Sequence, residues 1–172
     1  MIKLVKLCPE YRLQLNEMME EWTAAGEKIV PYAIRKNDFR DFETYLAGLV
    51  LLERENPDSG NVPSSTYFAL DTERNIFVGA VNIRHYLDDY MLKWAGHIGD
   101  GVRPSERRRG YATEMISQAL DICRQMGIDR VLMVCDKTNI GSARSIQKNG
   151  GILENEIVND EGGVEQRYWI TL

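Results

Sequence analysis

The chain has little cysteine, histidine or proline and no long apolar run. Its 172 residues include three cysteines, two histidines and five prolines. Cys8, Cys123 and Cys135 are odd in number, widely spaced and unlike any metal-ligand pairing, which fits a protein kept reduced in the cytoplasm. His85 lies close to Asp88 and Asp89, but no further ligand can be picked out, so no metal is expected. The N-terminus lacks the apolar core of a signal peptide. Every apolar stretch is too short or too interrupted to cross a bilayer, so a soluble cytoplasmic chain with no membrane partner is expected. Basic residues are outnumbered, 21 against 26 acidic ones, and the net charge of -5 argues against a nucleic-acid binder. It leaves room for a local basic site and for a cationic substrate. No repeat, low-complexity tract or lipidation signal occurs.

What is present is enough for one globular domain spanning residues 1–172, with 44% hydrophobic and 27% charged residues. Its most informative segment is Arg107-Arg108-Arg109-Gly110-Tyr111-Ala112. Gly110 has no side chain, so an anion can approach the main chain there, and Ala112 keeps the next amide nearly as accessible. Ala112, Met115, Ile116, Ala119, Leu120 and Cys123 then recur at helical spacing. A helix starting at the loop would aim its unpaired amides and positive dipole end at the anion, and Arg107, Arg108 and Arg109 would add charge. The loop lacks the Gly-Lys-Ser/Thr ending of a nucleotide phosphate loop.

Upstream, His97 to Pro104 reads as a strand weakened by Gly99 and Gly101 and stopped by proline, which suits a bulge or splay. Downstream, Gly127 ends the helix, Val131 to Cys135 reads as a strand buried on both faces, and Asn139 opens a short helix closed by Gly150-Gly151. Elsewhere, Ile2 to Leu7 predicts a strand, and Tyr11, Leu15, Met18, Met19 and Trp22 share a helical face. Asp38 is expected to cap a second helix with Phe39, Phe42, Leu46, Leu49 and Val50 on its apolar face. Residues 57–65 read as a polar surface loop. Two strands follow, Thr66 to Leu70 and Ile76 to Val81, joined by a polar turn. Asn159 to Gly163 marks a final hairpin. The expected fold is a mixed α/β sheet, largely antiparallel and twisted, with a central strand-helix-strand unit.

In this order the elements resemble the GCN5-related N-acetyltransferase superfamily, whose coenzyme loop has Arg or Gln, two residues, Gly, one residue, then Gly or Ala. Arg107, Gly110 and Ala112 match in register. The resemblance extends over Val102-Arg103-Pro104, the buried strand, and the run from Asn139 through Ser142 to Lys148-Asn149-Gly150-Gly151, about residues 96–151. It implies the same mixed fold, acetyl-CoA as cosubstrate, and a primary amine of a small molecule or a peptide N-terminus as acceptor. It also implies coenzyme contacts from Gly101, Val102, Arg107, Arg108, Arg109, Gly110, Tyr111, Ala112, Thr113 and Asn139, Val102 acting through its main chain.

The resemblance says less about proton transfer. His97 lies near where related enzymes place a carboxylate that removes the amine proton through water, with Asp100 as the alternative base, on the opposite strand face unless a bulge intervenes. Many members carry a tyrosine four residues before the glycine closing the Asn139 helix, where this chain has Ile146. Ser142 resembles the serine of the branch that acetylates N-terminal amines and is the candidate acid, with pairing to Asn139 or the local backbone as its plain structural role. Cys135 reads as core, and Trp94, Tyr168 and Trp169 as core or acceptor pocket. An acyl-CoA-binding or regulatory domain without activity is the alternative reading. Pairing of sheet edges could also make a homodimer.

Overall fold

The computed structural model describes residues 1–55 and 60–172. Its strands are β1 (Ile2–Val5), β2 (Ser64–Asp71), β3 (Ile76–Arg84), β4 (Ile98–Val102), β5 (Arg130–Asp136), β6 (Ile152–Val158) and β7 (Val164–Thr171). Between them run helices α1 (Arg12–Ala24), α2 (Tyr32–Arg35), α3 (Phe42–Leu51), α4 (Tyr111–Gln125) and α5 (Ile140–Lys148). All ladder pairings are antiparallel. One sheet has the order β1-β2-β3-β4 and the other β5-β7-β6. The mixed α/β fold expected from the sequence is the one observed, with β4-α4-β5 as its central strand-helix-strand unit.

Alternation along β2 sends Phe68 and Leu70 to one face and Ala69 to the other, so the first sheet is covered on both sides. On one side α4 packs Met115, Ile116, Ala119, Leu120 and Cys123 against Val78, Val81 and Ile83. On the other, Leu15, Met18, Met19 and Trp22 of α1 and Phe42, Tyr45 and Leu49 of α3 cover Phe68 and Phe77. A bulge between Ala69 and Leu70 leaves Val78 as the extra residue of β3 and shifts the alternation there, so that Phe77 and Ala80 enter one core and Val78 and Val81 the other.

Two local expectations need correction. Helix α3 is capped by Asp41, whose carboxylate accepts from the Thr44 N–H at 3.2 Å, whereas Asp38 accepts from the Arg40 N–H in the preceding turn. With the helix starting three residues later, Tyr45 is buried and Val50 is exposed. The polar stretch 57–65 lies partly outside the described residues, and Ser64 and Ser65 already belong to β2. Among the described residues, no helix is long and apolar enough to cross a membrane.

Candidate active site

The two sheets meet at one point and then separate. The His97 N–H donates to the Leu132 carbonyl at 2.7 Å, and the His97 ring accepts at Nδ1 from the Leu132 N–H at 2.9 Å. Gly96 adds an isolated bridge to Met133; a Cβ there would lie 2.4 Å from the Leu132 carbonyl oxygen, so the approach requires glycine. Beyond this stitch β4 has no ladder partner on its β5 side among the described residues. The gap becomes a cleft of about 550 Å³. The splay is as expected, but β4 itself runs without a bulge against β3.

Register decides which backbone groups face the gap. The His97 carbonyl and the Arg103 N–H both bond to β3, so alternation turns the main-chain groups of Asp100 and Val102 away from β3. Val102 thus presents an N–H at the open edge, while its carbonyl accepts from Arg107 Nε at 3.3 Å. Gly101 lines the cleft, but alternation points its main chain at β3.

The far end of the cleft is the start of α4. Gly110 caps the helix at φ +86°, a left-handed conformation that glycine adopts without strain, and no side chain caps the amides that follow. A Cβ on Gly110 would meet nothing within 4 Å. The cradle is therefore open, and uncapped amides with the helix dipole suit a phosphate. Arg107, Arg108, Gly110, Tyr111 and Ala112 all line the cleft; Arg109 and Thr113 do not. Thr113 instead donates to Ser145 Oγ at 3.3 Å.

The three arginines have different fates. Arg107 makes two hydrogen bonds to Glu27, and Arg109 lies 3.6 Å from Glu106, itself tied to Arg74 through two bonds of 2.9 and 2.8 Å. Arg74 also bonds the buried Asp71 and the Tyr111 hydroxyl, fastening the β2–β3 turn to the start of α4. Its guanidinium holds the Glu106 carboxyl below the usual carboxylate range. Among the described residues, Arg108 alone of the three arginines forms no ion pair. Glu106 stood beside the arginine run, where charge alternation could have signalled it. Glu27, Arg74, Trp22 and Val30 gave no such signal.

Asp100 and Ser142 both line this cleft. Burial pushes the Asp100 carboxyl up to about 6. Asn139 accepts from the Ser142 N–H at 3.1 Å, capping α5 and lining the cleft at once. That bond uses the Ser142 main chain, and its hydroxyl lies against Cys135. Burial drives the Cys135 thiol up to about 11, so little thiolate exists at neutral pH. Ile146 is fully buried against the core. Tyr168 is likewise buried, and neither Trp94 nor Trp169 lines the cleft. His85 bonds Ser65, and the described residues contain no group of three or more His, Cys, Asp or Glu able to hold a metal ion.

His97 is 7% exposed and does not line the cleft. Burial, aided by the nearby Arg84 charge, pulls its pKa down to about 4, so the ring is neutral and already committed to Leu132. A histidine whose folded pKa lies below its unfolded value adds stability above the unfolded value, and that stability is lost as pH falls through the folded one. Going from pH 6.5 to 4, the urea midpoint of His97→Gln should accordingly rise relative to that of the wild type. Parallel pH profiles for both proteins would remove His97 from this role.

Comparison with known proteins agrees with this geometry. A family model described as an acetyltransferase (GNAT) domain matches residues 9–152. No curated protein sequence gives a significant match. Among solved structures, RimL, a ribosomal L7/L12 alpha-N-protein acetyltransferase in complex with coenzyme A, superposes with a TM-score of 0.72 at 15% identity, over 99% of this chain and 94% of that one. The microcin C7 self-immunity acetyltransferase MccE, in complex with acetyl-CoA and AMP, gives 0.69 at 16% identity over 99% and 92%. Mutant forms of the spermidine/spermine N-acetyltransferase SpeG from Vibrio cholerae give 0.65 at 13% over 99% and 95%. With a matched segment that runs from before α1 to the start of β6 and takes in the whole cleft, the chain belongs to the GNAT acetyltransferase domain family.

Proposed function

We propose that the protein transfers the acetyl group of acetyl-CoA to a primary amine, on a small molecule or a peptide N-terminus, by direct attack. One observation carries this reading: Asp100 and Ser142 share a cleft whose other end is an uncapped helix N-terminus. The coenzyme supplies the activated thioester. Amides from Gly110 to Ala112 hold its pyrophosphate, with Arg108 as the available cation, and Asn139 contacts its arm. The Val102 N–H orients the thioester carbonyl and stabilises charge developing on its oxygen.

Asp100 takes the proton lost by the attacking amine, directly or through one water. Its raised pKa suits this work, because the group is mostly ionised at neutral pH yet remains a better base than an ordinary carboxylate. As the carbon–sulfur bond breaks, the Ser142 hydroxyl donates a hydrogen bond to the departing thiolate, which takes its proton from water. The names of RimL and SpeG, a protein N-terminal and a polyamine acetyltransferase, support an amine as acceptor.

The reading is tested by following thiol release from acetyl-CoA across amino acids, polyamines, aminoglycosides and peptides. Turnover that depends on one acceptor class is expected. Tight acetyl-CoA binding with no turnover on any acceptor would overturn it.

A further inference from the structure

Arg107 lines the cleft, yet every nitrogen of its guanidinium is engaged within the chain. Nε donates to the Val102 carbonyl at 3.3 Å, and Nη1 and Nη2 donate to the two carboxylate oxygens of Glu27 at 3.1 and 2.5 Å. A two-point grip is stronger than a single contact and fixes orientation as well as distance. Arg108 also lines the cleft and forms no ion pair among the described residues, so it remains for the phosphates.

Glu27 belongs to residues 25–31, the connection between α1 and α2, which runs along β4. Two glycines of that strand receive it. A Cβ on Gly101 would lie 2.3 Å from the Val30 carbonyl oxygen and 2.7 Å from Val30 Cγ2, and one on Gly99 would lie 3.4 Å from Pro31 Cβ. Val30 thereby becomes part of the cleft wall at Gly101, the residue between Asp100 and Val102. On the other side of Gly26, which turns the chain at φ +66°, Glu21 of α1 accepts from Arg103 Nε at 2.5 Å and from the Ser105 N–H at 2.9 Å. Helix α1 is anchored through Arg103, and the connection beyond it through Arg107. The connection therefore meets the site twice, at the coenzyme loop through Glu27 and beside the reacting centre through Val30.

We infer that Arg107 is a positioning residue for the acceptor and that its side chain does not bind the coenzyme phosphates. By gripping Glu27 it sets residues 25–31, and Val30 with them, against β4 where the amine approaches Asp100. This rests on the acetyl-transfer reading, with the amine at the β4 edge. The arginine run then divides its work: Arg107 holds the acceptor side of the cleft and Arg108 faces the phosphates.

Glu27→Ala and Arg107→Met each remove the pair at side chains 45% and 43% exposed, so both variants should fold. The acceptor used is the amine with the highest turnover among the amino acids, polyamines, aminoglycosides and peptides. Each variant should raise KM for it by about threefold, the scale of an exposed ion pair, with kcat nearly unchanged. The dissociation constant of coenzyme A, read by calorimetric titration, should stay at the wild-type value in both. The two effects on KM should not add in the double variant, because they report one contact. Charge reversal gives a rescue: Glu27→Arg combined with Arg107→Glu should recover the KM lost in either single reversal. Tenfold weaker coenzyme A binding in Arg107→Met, or severalfold tighter binding in Glu27→Ala, would overturn the inference, since phosphate would then be competing with Glu27 for the guanidinium. An unchanged acceptor KM in both variants would overturn it as well. The coenzyme A titrations need no turnover, so they decide between Glu27 and phosphate as the partner of Arg107 even if acetyl transfer itself fails.

Discussion

Asp100→Asn should lower kcat/KM for acetyl transfer by about 10²–10⁴-fold, the usual worth of a positioned general base, while leaving acetyl-CoA affinity unchanged. The substitution preserves shape and removes only the titrating group. In the wild type the rate should fall as pH drops through about 6, because burial raises the Asp100 pKa to that value and protonation abolishes the base. The variant should lack that limb. The same burial has a stability consequence of opposite sign. An acid whose folded pKa lies above its unfolded value binds its proton more tightly when folded, so the fold loses stability as pH rises between the two values. Asp100→Asn should therefore be more stable than wild type above pH 6, by up to about 3 kcal/mol, with the difference vanishing below pH 4. Wild-type rates in the variant, with an unchanged acid limb, would eliminate Asp100 as the base.

Gly110→Val should reduce acetyl-CoA affinity by at least tenfold and the overall rate with it. Gly110 sits at φ +86°, where a β-branched residue is strained, by about 1–2 kcal/mol in the left-handed region. The valine side chain would also project into open space in front of the α4 amides, where the phosphates are expected to lie. Relief of the strain requires moving the amides, and tolerance of the strain leaves a branched side chain in the cradle; either outcome weakens phosphate binding. Because no atom lies within 4 Å of the new Cβ, the fold itself should survive. Circular dichroism and a coenzyme titration check both parts. A folded variant with undiminished coenzyme affinity would refute the cradle.

Much of this was legible before any coordinates. The spacing of Met115, Ile116, Ala119, Leu120 and Cys123 marked α4 and its buried face, and the run at Val131 to Cys135 marked β5. Gly110 was legible because close approach of an anion to the main chain at a helix start needs a residue without a side chain, and that demand is local. The cap of α3 was misread because Asp38 and Asp41 carry the same local chemistry, and only the position of the first helical turn separates them.

The candidates for proton transfer were not legible in the same way. His97 and Asp100 occupy one strand three residues apart, and sequence can say only that they face opposite ways. Leu132, 35 residues from His97, occupies the imidazole and leaves Asp100 as the group in the cleft. The charge of the arginine run was similarly open: Glu27, 80 residues from Arg107, takes one guanidinium, and Arg74 reaches across 32 residues to hold the carboxylate facing Arg109.

The sequence by itself determined the order of strands and helices, the coenzyme-type loop and the family, because periodicity, capping and backbone conformation depend on a few neighbouring residues. Tertiary structure alone decided which side chains reach the cleft and which charges remain available there. Those outcomes depend on strand register and on ion-pair partners that only folding brings together.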